Sequence, residues 1–96
     1  MLDGMQGARL SGELDLSTYE DASTELASLF DGSGDVTLEV GDLSFVDSSG
    51  IRLFIRLHQS LDGGVLVLRS LQPHVERLLR IAGLADLGVR LEAASG

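Results

Sequence analysis

Apolar and polar residues alternate through Val36-Thr37-Leu38-Glu39-Val40, the period of a half-buried β-strand. Upstream, Ala8 to Leu10 reads as the end of a short strand stopped by Gly12. Ser17-Thr18-Tyr19-Glu20 then has the capping-box pattern, with Glu20 three residues after the cap. Beyond it Tyr19, Ala22, Leu26, Leu29 and Phe30 recur at helical spacing and share one face. Asp31-Gly32-Ser33-Gly34-Asp35 breaks that helix and leads into the alternating strand. A short acidic loop follows, then an apolar-rich helix over about Ile51–Leu61. Asp62-Gly63-Gly64 turns the chain into a strand at Val65–Leu68. Pro73 fits the first turn of a third helix running to about Ile81, with Gly83 as its stop. Val89 and Leu91 predict a last short strand.

Strands alternating with helices imply an α/β domain with a mixed, mainly parallel β-sheet packed against helices. Right-handed crossovers place the loops that follow the strands along one edge of such a sheet. Asp15 and Ser48 both follow strands, so both are expected at that edge. No repeat, linker or low-complexity tract interrupts the pattern, and 96 residues make a single domain, 1–96.

A chain of this size buries about 60–65% of its unfolded surface, enough for one core. With 44% hydrophobic residues, no Trp and one Tyr, that core must be aliphatic. The absence of cysteine excludes disulfides and thiolate metal sites, and suits a reducing cytoplasm. No apolar run approaches the ~20 residues of a membrane span, and the N-terminus lacks a signal-peptide pattern. Net charge is −8 and unevenly spread: residues 1–50 hold eleven acids and one base, residues 51–96 four acids and six bases. An acidic first half repels phosphate backbones, so direct nucleic-acid binding is not expected. Such a surface suits a basic protein partner instead.

The densest candidate chemistry lies in Asp42-Leu43-Ser44-Phe45-Val46-Asp47-Ser48-Ser49-Gly50, which delivers two serines to a helix start. Backbone N–H groups there lack partners and the helix dipole is positive. Ser and Asp are also favoured N-caps, so a serine that only caps its helix is the plain alternative. The segment resembles the signature of the STAS domain, the fold of bacterial anti-anti-sigma factors. A second family motif stands at Gly12-Glu13-Leu14-Asp15, and the resemblance runs from about Leu10 to Leu91.

The resemblance implies an anti-sigma factor antagonist. Its unphosphorylated form would bind an anti-sigma factor serine kinase and so release a sigma factor. Phosphorylation of Ser48 by that kinase would switch it off, and a serine phosphatase would restore it. Asp15, Asp47 and Ser49 would shape the loop, with Gly50, Ile51, Arg52 and Ile55 adding to the docking surface. The protein would be cytoplasmic, without membrane insertion, and a monomer or weak dimer. The alternative is a STAS module without phosphoregulation, in a stressosome-like or transporter complex.

No enzyme is expected. A serine nucleophile needs a base within hydrogen-bond reach, and His58 stands ten residues along the same helix, about 15 Å away. His74 opens a helix whose position the pattern does not fix. No Gly-x-Ser-x-Gly elbow surrounds Ser48 and no glycine-rich phosphate loop follows a strand. Asp31, Ser33 and Asp35 mimic the start of a calcium loop, but Val36 stands where glycine is required and Asp42 where glutamate is. Two separated histidines do not make a zinc site, and no cofactor is implied. His58 is expected to border the core, and His74 to be solvated.

On the helix after Gly50, Arg52, Arg56 and Gln59 form one polar stripe while Leu53, Phe54, Leu57 and Leu61 face the sheet. Ile51 and Ile55 fall on a flank beside the serines, either as part of the core or as a partner surface. Family members often carry small residues where this chain has Arg52 and Arg56, so the docking kinase is expected to differ. Both ends are shorter than the family pattern, which has a complete first strand and a further C-terminal helix. One sheet edge is therefore expected to be poorly covered and open to pairing.

Overall fold

Aliphatic residues at alternate strand positions build the sheet, and apolar stripes on the helices cover it. The computed structural model describes residues 5–15, 17–29, 34–61 and 63–94. Phe30, the turn at 31–33, Asp62 and residues 95–96 lie outside the described residues, as does the side chain of Leu29. Strands β1 (Met5–Leu14), β2 (Asp35–Val46), β3 (Leu66–Leu71) and β4 (Arg90–Ala93) alternate with helices α1 (Tyr19–Leu29), α2 (Ser48–Ser60) and α3 (Pro73–Ile81). A 3₁₀ turn at Ala85–Leu87 precedes β4. The sheet order is β1-β2-β3-β4, and every described pairing is parallel, in keeping with the mainly parallel sheet expected from the pattern.

Parallel neighbours in sequential order, joined by right-handed crossovers, put all three helices on one face. Under them lie Val36, Leu38, Val40, Leu66, Leu68 and Leu71 of the sheet, all at most 1% exposed, with Leu79 of α3 buried on top of them. Phe54 from α2 is fully buried among them. Tyr19, Ala22 and Leu26 of α1 pack on this core, as the helical spacing predicts. The opposite face mixes burial with charge: Thr37 and Val67 are buried there, and Arg69 stands 4.0 Å from Glu39 on β2 and 3.5 Å from Glu92 on β4. Parallel sheets ordinarily carry helices on both faces; among the described residues the helices of this one lie on one face.

Element boundaries depart from the sequence pattern at the bulges. Gly12 does not stop β1; it adopts φ +83° and the strand continues to Leu14. β2 runs six residues past Val40, because register shifts near Arg9/Ser11 and Gly12/Glu13 absorb extra β2 residues and scramble the alternation. β3 reaches Leu71 because Ser70 takes φ +64°, which returns Leu71 to the core face. Pro73 and Gly83 behave as read: the helix begins at the proline, and the glycine follows it at φ +87°.

Candidate functional site

The ends of β1 and β2 are paired in register, Leu14 with Val46, so the loops after them emerge side by side. A backbone bond joins them, Asp47 N–H donating to the Leu14 carbonyl at 3.2 Å. Asp15 and Ser48, each one residue further along, therefore share one edge of the sheet, as expected from topology.

The helix cap is Asp47, not a serine. Its extended backbone (φ −107°) precedes α2, and its Oδ1 accepts Ser49 N–H at 2.8 Å and Gly50 N–H at 3.3 Å. The Ile51 N–H closes the first helical turn on the Asp47 carbonyl at 3.0 Å. α2 thus starts three residues before Ile51, and Ser48 is its first residue. Ser48 is exposed, and among the described residues its hydroxyl has no hydrogen-bond partner. Ser49 is half-buried and Gly50 buried.

Gly50 has a steric task that sequence reasoning missed. A Cβ there would come within 2.7 Å of Val46 Cγ1 and 2.8 Å of the Leu14 carbonyl oxygen. The glycine lets the first turn of α2 rest directly on the two strand ends. A glycine closing an Asp-Ser-Ser-Gly run is the only available signal, and it does not say what the backbone approaches.

Asp15 organises the neighbouring loop. Its Oδ1 accepts the Ser17 hydroxyl at 2.7 Å, Ser17 N–H at 3.0 Å and Thr18 N–H at 3.2 Å. Thr18 Oγ1 donates to the Glu13 carbonyl at 3.0 Å and accepts Asp15 N–H at the same distance. The predicted Ser17–Glu20 capping box is replaced by this aspartate-centred turn. The Ser17 hydroxyl holds the Asp15 carboxyl below its ordinary value; partial desolvation opposes the shift, and the Thr18 and Ser17 bonds reinforce it.

Beside the serines, Ile51 and Ile55 are half-buried against the core, so neither is wholly interior nor a free apolar patch. Arg52, Arg56 and Gln59 are exposed, and Arg56 Nη1 donates to the Tyr19 hydroxyl at 3.3 Å. Phe45, two residues before the cap, is 47% exposed and was not anticipated.

Neither histidine is poised as a base for Ser48. The Nδ1 of His58 accepts Leu66 N–H at 3.2 Å and its Nε2 donates to the Leu87 carbonyl at 3.0 Å, so both nitrogens are engaged. His74 is exposed and its Nε2 donates to the Ser44 carbonyl at 2.9 Å. Among the described residues no His, Cys, Asp and Glu cluster could hold a metal, and no helix is long and apolar enough to cross a membrane.

Relatives place this geometry in a family. The chain is 34% identical to BtrV of Bordetella bronchiseptica, provisionally named an anti-sigma factor antagonist, across 90% of this chain and 77% of that protein. It is 29% identical to the anti-sigma-B factor antagonist of Bacillus subtilis, across 81% of this chain and 73% of the relative. The anti-sigma-B factor antagonist of Staphylococcus aureus is 28% identical across 88% of this chain and 82% of its own length. The STAS domain model matches residues 3–94, and with the parallel sheet and the paired loops at its edge this chain belongs to the STAS domain family.

Proposed function

We propose that the protein is an anti-sigma factor antagonist working in the cytoplasm, and that Ser48 is its switch. In the unmodified state the edge formed by Asp15, Asp47, Ser48 and Ser49, flanked by Ile51, Arg52 and Ile55, docks on an anti-sigma factor that is a serine kinase. Docking frees the sigma factor. The kinase transfers the γ-phosphoryl group of ATP to the Ser48 oxygen, the hydroxyl proton leaves, and ADP departs. A serine phosphatase reverses the modification by hydrolysis. No catalytic group from this chain is required.

The observation that carries the reading is the exposed Ser48 hydroxyl at the first position of α2, which has no partner among the described residues because Asp47 does the capping. A phosphate there adds roughly −1.5 to −2 charges. The helix N-terminus favours that charge, by up to about 2 kcal/mol in a good geometry, and Arg52 stands one turn on, at i+4. Asp47 opposes it. The fold therefore tolerates the ester while the docking edge gains bulk and changes charge, and the partner is expelled.

Mass spectrometry of the protein incubated with an anti-sigma factor kinase and ATP tests this. Phosphate is expected on Ser48, with Ser48→Ala retaining binding and Ser48→Asp binding poorly. An active kinase that leaves Ser48 bare, or equal binding by the two variants, would leave a STAS module without a phosphorylation cycle.

A further inference from the structure

In a regular strand Phe45 would follow the buried Leu43 by two residues and face the core with it. It is instead 47% exposed, while Val46, the next residue, is buried. A bulge makes the difference. Gly12 pairs with Leu43 and Glu13 with Phe45, so Ser44 is an extra residue on β2 with no counterpart on β1. Both sides of that residue are fastened. The Ser44 hydroxyl donates to the Gly12 carbonyl at 3.0 Å, and the Ser44 carbonyl accepts His74 Nε2 at 2.9 Å. One exposed apolar side chain ordinarily means little. This one is turned outward by a bulge pinned from two directions, and bulges beside functional sites re-aim side chains in this way.

We infer that Phe45 anchors the Ser48 edge to its kinase, its ring entering an apolar pocket rimmed by arginine or lysine. The inference rests on the reading of that edge as a docking surface, and it names what holds the partner there. Phe45 lies on the same pair of strand ends, one residue before Val46 meets Leu14. Exposed Glu13 is its register partner, and Asp15 and Asp47 follow the two strand ends directly. Between Arg9 and Arg52 the sequence holds no base. An aromatic ring among carboxylates is complementary to a pocket with an apolar floor and a basic rim. Aromatic side chains are enriched in the buried centres of interfaces, and a segment already held in place loses less freedom on docking.

Among the described residues the other large exposed apolar side chains are Leu78, Ile81 and Leu87, on α3 and the 3₁₀ turn. Leu87 is the natural control, 49% exposed against 47% for Phe45. Its carbonyl is bonded to His58, which stands ten residues beyond Ser48 along α2, about 15 Å away.

The experiment uses the full chain and an anti-sigma factor kinase. Calorimetry in ADP, where no transfer occurs, measures binding, and initial rates in ATP measure phosphorylation of Ser48. Phe45→Ala is expected to weaken binding about thirtyfold and to raise KM in proportion, with kcat unchanged. Phe45→Leu keeps the apolar bulk and is expected to recover most of the affinity, so it decides if the alanine variant fails to fold. Glu13→Lys is expected to weaken binding about tenfold by facing the basic rim. Leu87→Ala is expected to match the parent. A kinase that binds and phosphorylates the parent and Phe45→Ala alike overturns the inference and leaves the docking edge standing. So does a fall in kcat at constant KM, or an equal loss in Leu87→Ala. Unweakened binding by Glu13→Lys overturns the basic rim. A parent chain that no such kinase binds overturns the docking edge and its anchor together.

Discussion

At the residue scale, the serine edge divides its labour among neighbours that look alike in sequence. Asp47 holds the helix start and Gly50 lets that start approach the strand ends, so among the described residues neither task falls to Ser48. Asp47→Ala should lower stability by about 1 kcal/mol through loss of the cap. Ser48→Ala should stay within about 0.5 kcal/mol of the parent. Urea unfolding of the two variants measures both, and equal losses would return the capping role to the serine. Gly50→Ala is more severe. Its methyl meets the Leu14 carbonyl oxygen, which belongs to a paired strand and cannot move aside. A cost of about 1–3 kcal/mol is expected, and a variant melting with the parent would show that the first turn can lift away.

At the element scale, His58 fastens three segments. From α2 it accepts the first N–H of β3 and donates to the last carbonyl of the 3₁₀ turn before β4. His58→Leu keeps the bulk but leaves the Leu66 N–H and the Leu87 carbonyl unpaired, a loss of about 1–3 kcal/mol. Amide exchange at Leu66 is the direct probe, since protection there should fall before the rest of β3. None of this can be read from the chain, because the partners lie 8 and 29 residues away and each is a backbone group. The element types, by contrast, were plain: Val36-Thr37-Leu38-Glu39-Val40 has one period, and Pro73 and Gly83 bracket a helix. What hid the true extents of β1 and β2 was the bulging at Gly12 and beyond Val40, where alternation fails although pairing continues. The cap was hidden differently. Asp47, Ser48 and Ser49 are all good capping types, and only the relation of the loop to Leu14 selects among them.

At the scale of the whole molecule, the acidic character of the first half meets the fold at Asp15. Its carboxyl has a lower pKa folded than unfolded, so its ionised form contributes stability above the unfolded value, about pH 4. That contribution is lost as pH falls from there through the folded value. Acid unfolding of Asp15→Asn should accordingly be less steep below about pH 4 than that of the parent. Identical acid limbs would show that Asp15 titrates alike in both states. The sheet face away from the helices has a different character, combining the exposed Glu39–Arg69–Glu92 ladder with the buried Thr37 and Val67.

If Ser48 is the switch proposed above, its ester forms at the start of α2, where the helix N-terminus favours the added charge and Asp47 opposes it. The opening of the modified chain is therefore expected to change little. Both forms would then have similar lifetimes against cellular proteases, which act on opened chains. Degradation would draw equally on both forms, and the signalling state could be read as a ratio that leaves the total unchanged.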